Sequence, residues 1–115
     1  MSSRYVISGL MGATAVALGA FGAHGLKQVL QQNPDAVNWW NTATQYLLLH
    51  AIAVGAIKST RSVYLWLIGS FIFSSTLYAM ALGGPKWLGA ITPIGGTLLI
   101  AGWVLLVFFN ESAAD

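Results

Sequence analysis

The chain has 115 residues, 57% of them apolar and only 7% charged, with a formal net charge of +2. A water-soluble domain carries roughly 25% charged residues, so this composition excludes an ordinary soluble domain. The five basic residues are dispersed along the chain, which excludes a basic surface for nucleic acid. The chain has no cysteine, and this excludes disulfides and sites built from thiolate ligands.

Four apolar runs follow one another, and the charged residues lie between them or at their ends. A helix needs about 20 mostly apolar residues to cross roughly 30 Å of hydrocarbon. The sequence therefore predicts a single transmembrane domain, residues 1–115, that is an all-α bundle of four transmembrane helices. The predicted spans are residues 5–26, 34–57, 63–82 and 92–109.

The first span carries small residues on one face, where they let a neighbouring helix approach closely. On a helical wheel this face holds Gly9, Gly12, Ala13, Val16, Gly19, Ala20, Ala23 and His24. Leu10, Met11, Leu18 and Phe21 point the other way. We therefore predict that the small face lies inside the bundle and the larger side chains lie in lipid.

Residues 26–32 are amphipathic and predict a short interfacial helix between the first two spans. Asn33, Pro34 and Asp35 then predict the start of the second helix, as N-cap, first helical residue and acidic first turn. In this helix a polar band holds Asn38, Asn41, Thr42, Gln45, Tyr46 and His50, and we expect it to face protein or water. The opposite face holds Trp40, Leu47, Leu48 and Ala51, with Trp39 and Trp40 at the depth of the membrane interface.

The third and fourth spans also carry small residues on one face. In the third, Ser62 is the expected N-cap, and Tyr64 and Trp66 lie near the start. Its stripe holds Ser70, Ser74 and Ala81 with Tyr78 beside it, and residues 83–85 (Gly-Gly-Pro) end the helix. The fourth begins at Thr92-Pro93, and Gly95, Leu99, Gly102 and Leu106 form its packing face.

The basic residues predict an orientation. With four spans, Arg4, Lys58 and Arg61 lie on the side of both termini, and Lys27 and Lys86 lie opposite. Because Lys and Arg are in excess on the cytoplasmic side, we predict a multi-pass protein with both termini in the cytoplasm.

His50 is a candidate functional residue because it lies about ten residues beyond Trp40, roughly 15 Å deeper in the helix. An ionisable side chain near mid-bilayer is by default a functional candidate. The alternative is a neutral imidazole that bonds Tyr46, a serine of the third span or a backbone carbonyl and holds two helices together. His24, near the end of the first span, is expected to bond the last carbonyls of its helix.

We expect no metal, no cofactor and no catalytic group. Zn²⁺ needs three or four ligands, and the two histidines lie at different depths, which also argues against a shared haem. Every acidic residue lies in a loop or tail, whereas proton-coupled transporters usually keep an embedded carboxylate. No nucleophile is paired with a base, so the chain is predicted not to be an enzyme.

Several short motifs occur together: residues 19–26, residues 40–43 with Tyr46 and His50, residues 73–74 with 77–78, and residues 91–96 with 102–103. Together they resemble the YgdD/YwdK group, uncharacterised small membrane proteins classed as a domain of unknown function. The resemblance covers nearly the whole chain and departs at Ser75, where the group has glycine. It implies a multi-pass bacterial inner-membrane protein with about four helices and no established reaction, and it favours a role for both histidines, Tyr46 and Tyr78.

Two functional classes remain. The first is a non-catalytic accessory or scaffold component whose Gly/Ala/Ser faces also dock a partner, in a homo-oligomer or a larger complex in the lipid bilayer. The alternative is a small permease or channel for a polar solute. Its lining would be Asn41, Gln45, Tyr46, His50, Ser74 and Tyr78, which together with His24 are the candidate functional residues. The chain is short for enclosing a pore, which favours the first class.

Overall fold

The computed structural model describes residues 3–109, and all regular secondary structure in this range is helical. In chain order it comprises α1 (Ser3–His24), α2 (Lys27–Leu30), α3 (Ala36–Ala56), α4 (Thr60–Ala81), the 3₁₀ helix Lys86–Ala90 and α5 (Thr92–Phe108). The predicted all-α class is confirmed for these residues. The four long helices lie over the four predicted spans, with ends that differ by a few residues.

Three helical segments are long and apolar enough to cross a membrane: Ser3–His24, Thr60–Ala81 and Lys86–Phe108. The helix α3 has 21 residues, which is also sufficient length for about 30 Å of hydrocarbon. It is not among the three segments named above, and it carries amide, hydroxyl and imidazole side chains. Length and composition therefore assign three of the four predicted spans to the membrane.

The four long helices pack in chain order, α1 on α3, α3 on α4 and α4 on α5. Each is antiparallel to the next. The Ser8 hydroxyl near the start of α1 donates to the carbonyl of Ala51 near the end of α3, and the Trp40 indole near the start of α3 donates to the carbonyl of Leu18. The helices α3 and α4 thus lie between two long helices, whereas α1 packs mainly on α3 and α5 mainly on α4.

Three of the five basic side chains lie at one end of this bundle. Arg4 donates to the carbonyl of Ile57 over 3.4 Å, next to Lys58 in the α3–α4 connection. The guanidinium of Arg61 lies 5.5 Å from the centre of the Phe109 ring, at the end of α5. The predicted grouping of Arg4, Lys58 and Arg61 at one end is therefore observed.

The end of α4 has the predicted glycine chemistry. Gly83 has a φ of +101°, a conformation that glycine adopts without strain. The Gly84 N–H bonds the carbonyl of Ala79 at 2.8 Å and the Gly83 N–H bonds that of Met80 at 3.0 Å. These two bonds form a Schellman motif, which satisfies carbonyls left open at the helix end.

Two predicted N-caps are wrong. Ser59, rather than Ser62, caps α4, because the Ser59 hydroxyl accepts from the Ser62 N–H at 3.3 Å. Asn33 does not cap α3: its side-chain oxygen accepts from the Asp35 N–H at 2.9 Å, and the helix begins only at Ala36. The Ser59 hydroxyl thus makes a regular N-cap bond to the first turn of α4, whereas the Asn33 side chain closes a turn before α3, an arrangement that competes with capping.

The face of α1 that packs on α3 differs from the prediction. Met11 and Leu18, which were expected in lipid, pack against the core, whereas Gly9, Ala13 and Ala20 are exposed. The packed face pairs a large residue with a neighbouring glycine, so that α3 side chains lie next to the glycine and the large residue fills the remaining space. The residues of reduced exposure are Arg4, Ile7, Ser8, Met11, Gly12, Ala15, Leu18, Gly19 and Gly22.

The predicted packing face of α5 is confirmed. Gly95, Leu99 and Gly102 are buried against α4. A Cβ placed on Gly95 would lie 2.5 Å from the Phe73 nitrogen and 2.9 Å from the Gly69 oxygen. Because both neighbours are backbone atoms, the two helices are in direct main-chain contact at this point.

Two tryptophans near the starts of the second and third predicted spans are buried between helices. Trp40 is 3% exposed, and its indole N–H donates to the carbonyl of Leu18 at 2.8 Å. Trp66 is fully buried, and its indole N–H donates to the carbonyl of Leu99 at 3.2 Å. Each ring lies against a glycine whose Cβ would overlap it, Gly22 on α1 and Gly102 on α5.

Candidate functional site

The seven candidate side chains divide into a buried group and an exposed group. His50 and Ser74 are buried and Tyr78 is half-buried, and all three belong to helices α3 and α4. The exposed group comprises His24, Asn41, Gln45 and Tyr46. The seven predicted residues are therefore spread over the bundle and do not form one site.

His50 is 4% exposed, and both of its ring nitrogens have partners. Nδ1 lies 2.7 Å from the carbonyl oxygen of Tyr46, one helical turn earlier. Nε2 accepts from the indole N–H of Trp103 on α5 at 3.0 Å. Since an indole N–H can only donate, Nδ1 carries the proton of a neutral imidazole. This geometry favours the predicted helix-joining role of His50 over proton transfer or ligand contact.

Aromatic rings from three helices surround this histidine. The ring centres of Trp66 and Trp103 are 4.5 Å apart, and that of His50 lies 6.0 Å from Trp66 and 5.9 Å from Trp103. Sequence reasoning predicted neither tryptophan as a partner of His50. The sequence feature that could have pointed to Trp103 was the pair Gly102-Trp103, which is among the motifs that resemble the YgdD/YwdK group.

Ser74 and Tyr78 join α4 to α3. The Tyr78 hydroxyl lies 2.7 Å from Thr44 Oγ1, and its ring meets that of Trp40 edge-on with centres 4.5 Å apart. The Ser74 hydroxyl donates to the carbonyl of Ala43 at 3.2 Å. These hydroxyls take part in contacts between helices, so their polar atoms are engaged inside the bundle.

The predicted polar band of α3 is divided between two environments. Asn41 and Gln45 are exposed, whereas His50 is buried together with Trp40 and Ala51, which were predicted on the opposite face. The rotation of α3 is set by the fit of the Trp40 ring and of the small alanines against the neighbouring helices. This fit places the amide side chains outside.

Tyr46 and His24 lie apart from the other candidates. Tyr46 is exposed, with its ring centre 5.0 Å from that of Phe73. His24 is the last residue of α1 and is exposed, so its predicted place on the inward face is wrong, and we find no hydrogen bond from its imidazole within residues 3–109. In the same range, no three His, Cys, Asp or Glu side chains come together as a metal site would require.

Two grooves mark the surface of the described part of the chain. One, of about 280 Å³, is lined by Gly22, Ala23, Lys27, Leu30, Gln31, Val37 and Asn41. The other, of about 380 Å³, lies at the opposite end and is lined by Ser3, Arg4, Ile7, Thr60, Val63, Tyr64 and Leu67. Asn41 is the one candidate residue that lines either groove. The other side chains predicted to line a solute pathway border neither of these two grooves, which therefore give the permease alternative no support.

Apolar helices joined by internal hydrogen bonds define a small helical membrane protein, and sequence comparison agrees. Residues 18–96 match the family described as "Protein of unknown function (DUF423)". A "UPF0382 membrane protein" of Haemophilus influenzae is 41% identical over 118 residues and is matched over 94% of each chain. The chain belongs to this DUF423/UPF0382 family of membrane proteins, whose function is unknown.

Relatives of the same name occur in other organisms. A protein of Staphylococcus saprophyticus is 42% identical, over 90% of this chain and 92% of its own. One of Schizosaccharomyces pombe is 36% identical, over 88% and 95%. No solved structure matches the chain significantly. The matches extend over nearly the full length of these relatives, so the bundle described above corresponds to the whole of each relative.

Proposed function

We propose that this protein is a non-catalytic scaffold component of the bacterial plasma (inner) membrane, and that it docks onto a second copy of itself through the exposed side of α3. Within residues 3–109, the buried polar candidates His50, Ser74 and Tyr78 all hydrogen-bond inside the bundle. No acid–base pair or activated nucleophile is assembled from them. The exposed polar side chains of α3 are what remains to be explained, and they carry the proposal.

Four spanning helices are part of this proposal. The helix α3 lies between α1 and α4 and is antiparallel to both, and its contacts with α1 extend from Ser8–Ala51 to Leu18–Trp40. If α1 and α4 cross the bilayer, α3 crosses with them. The short helix α2, whose Leu30 is buried against the bundle, then lies at the membrane interface.

The basic end of the bundle is proposed to face the cytoplasm, with both termini. Three basic residues, Arg4, Lys58 and Arg61, lie at this end, against Lys27 and Lys86 at the other, and Lys and Arg are in excess on the cytoplasmic side. The bacterial relatives and the likeness to the YgdD/YwdK group support the bacterial plasma membrane as the location.

The observation that carries the docking proposal is a stripe of exposed residues on α3: Asn38, Asn41, Gln45, Leu49 and Ile52. We call it the α3 stripe. In a spanning α3, Gln45 lies about 14 Å along the axis from Ala36, near the middle of the hydrocarbon. An amide exposed to lipid there lacks hydrogen-bond partners, which is costly. Because polar side chains join helices in lipid, the stripe requires a partner helix.

A second copy of the chain is the partner that this chemistry favours. An Asn or Gln amide carries two donors and an acceptor, so it is complementary to itself. A two-fold axis beside α3 brings each amide against the same amide of the other copy, and one set of residues then satisfies both. Leu49 and Ile52 extend the contact with apolar surface on the same side of the helix.

Single-cysteine cross-linking tests this proposal directly, because the sequence has no cysteine. In Leu49→Cys the new thiol lies on the α3 stripe and the amides are kept. Phe71→Cys is the control, since Phe71 is 74% exposed on α4 while Leu49 is 50% exposed. Mild oxidation in native membranes is expected to give a disulfide-linked dimer from Leu49→Cys and monomer from Phe71→Cys.

Two results would overturn the proposal. Equal cross-linking of both variants would indicate random collision, and monomer from Leu49→Cys with the fold intact would mean that no second copy covers the stripe. A disulfide between the Leu49→Cys variant and a different protein would mean that this other protein, and not a second copy, covers the stripe. Adding Asn41→Leu and Gln45→Leu to Leu49→Cys is expected to reduce the dimer, since the amides are its proposed basis.

A further inference from the structure

The groove at the basic end lies between the first turns of α1 and α4, and its lining changes from polar to apolar along its length. Ser3, Arg4, Thr60 and Tyr64 carry polar groups nearest the ends of the helices. Ile7 and Leu67 lie about one to two turns deeper, and Val63, in the first turn of α4, adds apolar surface beside them. At about 380 Å³, the groove is within the range of roughly 300–1,000 Å³ typical of ligand sites.

Arg4 is incompletely bonded in this groove. Its guanidinium has five N–H donors, and within the described range we find one side-chain bond, a long one of 3.4 Å to the carbonyl of Ile57. Its Nε atom is buried and has no partner among residues 3–109. A buried donor without an acceptor is costly, so a ligand with acceptor oxygens would be stabilised here.

The basic residues near the groove favour an anionic ligand. Arg4, Lys58 and Arg61 lie at this end of the bundle. Asp35 is the one acidic residue within residues 3–109, and it lies at the opposite end, before α3. Guanidinium groups bind phosphate oxygens well because their donors form a planar fork.

We propose that this groove binds one anionic glycerophospholipid. The phosphodiester contacts Arg4 and the hydroxyls of Thr60 and Tyr64, and an acyl chain follows Ile7, Val63 and Leu67. The lipid is preferred to a soluble phosphate because the groove continues into apolar surface, which only an amphiphile covers. The groove is lined by residues of α1 and α4 and by none of the α3 stripe, so lipid binding does not depend on dimer formation.

The test is native mass spectrometry of the full-length protein released from nanodiscs that contain equal amounts of phosphatidylcholine and phosphatidylglycerol. The unaltered protein is expected to retain one phosphatidylglycerol. In Arg4→Gln we expect retention to fall about fivefold, as for the loss of one basic residue beside an anionic lipid. Arg61→Gln is the matched control, because it removes the same charge from the same end but does not line the groove.

The outcomes distinguish a specifically bound lipid from a general surface potential, from unselective lipid contact and from a soluble anion. Equal loss in Arg4→Gln and Arg61→Gln would mean a general surface potential, and equal retention of phosphatidylcholine would mean unselective contact; either overturns the proposal. Displacement of the lipid by millimolar inorganic phosphate would overturn it in favour of a soluble anion. If Arg4→Gln does not fold, Tyr64→Phe, at a 62% exposed residue, replaces it: reduced retention supports the site, and unchanged retention overturns it.

Discussion

Two contacts between helices are built in the same way. One is that of α1 with α3, which we call the outer interface; the other is that of α4 with α5, which we call the inner interface because α5 buries more residues than α1. In each, a tryptophan indole donates to a backbone carbonyl of the neighbouring helix and its ring lies against a glycine. They differ in what surrounds the tryptophan. The outer interface adds the bond from the Ser8 hydroxyl to the carbonyl of Ala51 at 2.7 Å. The inner interface adds two bonds: Ser62 donates to the carbonyl of Gly102 at 2.7 Å, and the hydroxyls of Thr76 and Thr92 are 2.7 Å apart.

The difference shows how a small membrane protein distributes its stability. Helix association in lipid depends on close packing and on hydrogen bonds between helices, since lipid is as apolar as the side chains it replaces. The inner interface has main-chain contact as well as such bonds, and α5 buries four residues, Thr92, Gly95, Leu99 and Gly102. In α1 only Ala15 and Gly22 are fully buried. We therefore expect the inner interface to hold the bundle together and α1 to be the helix that separates first.

The largest expected effect comes from adding a methyl group where the inner helices touch. In Gly95→Ala the new Cβ meets backbone atoms of Phe73 and Gly69, which cannot rotate away. We expect a loss of about 3 kcal/mol of unfolding free energy, the upper end of overpacking costs. Gly96→Ala is the control: its Cβ would lie 3.6 Å from the Phe73 ring, an ordinary contact, so stability is kept or raised.

Unfolding of both variants in mixed mild detergent and dodecyl sulfate gives the two free energies. The two positions are adjacent, so helix propensity and membrane depth are matched. Equal stability of Gly95→Ala and Gly96→Ala would show that the inner helices are farther apart than the structure has them.

The corresponding change at the outer interface is expected to be smaller. Gly22→Ala places a Cβ against the side chain of Trp40 and not against backbone atoms, so the ring or the lightly buried helix α1 can move aside. We expect a cost of about 1–2 kcal/mol, in the lower part of the overpacking range. The same unfolding measurement checks it, with Gly12→Ala, whose Cβ would lie 3.9 Å from that of Ala51, as the neutral control. A cost above that of Gly95→Ala would reverse the ranking of the two interfaces.

The four long helices and the end of α4 were predictable because local chemistry determines them, whereas the N-caps predicted at Ser62 and Asn33 were wrong. Gly83 and Gly84 end α4 through bonds to carbonyls of its own last turn, which a sequence pattern can indicate. The packing face of α5 was predictable too, since Gly95 and Gly102 are small residues on one side. These features need no knowledge of the partner helix.

The faces of α1 and α3 were not predictable from residue size and polarity. From the sequence alone Trp40 is typical of an interfacial residue, because nothing in the sequence indicates that Gly22 of another helix lies opposite its ring. Its carbonyl partner, Leu18, carries no side-chain signal for a hydrogen bond. For the same reason His50 was recognised as important while its partner Trp103 was missed, because the pairing exists only in the packed bundle.

A double-mutant cycle on His50 and Trp103 extends the comparison to the bond that ties α3 to α5 beside the inner interface. His50→Leu removes the acceptor and Trp103→Phe removes the donor. We expect a coupling energy of about 0.6 kcal/mol, the average for such bonds in membrane helices, and at most about 1.7 kcal/mol. His50→Gln keeps an acceptor and is expected to retain part of the coupling. A coupling of zero would mean that the bond is not formed in the membrane.

The smallest expected effect concerns a polar atom that the inner side of the bundle leaves unsatisfied. The Ser70 hydroxyl on α4 is buried and has no hydrogen-bond partner within residues 3–109. Ser70→Ala removes this hydroxyl without a large change in volume, and alanine has the better helix propensity. We therefore expect the free energy of unfolding to stay the same or rise by up to about 1 kcal/mol. Ser74→Ala is the matched control one turn later, since it breaks the bond to the carbonyl of Ala43 and is expected to lower stability. If Ser70→Ala destabilises as much as Ser74→Ala, the Ser70 hydroxyl has a hydrogen-bond partner, and α4 is bonded at its centre as well as in its contact with α5.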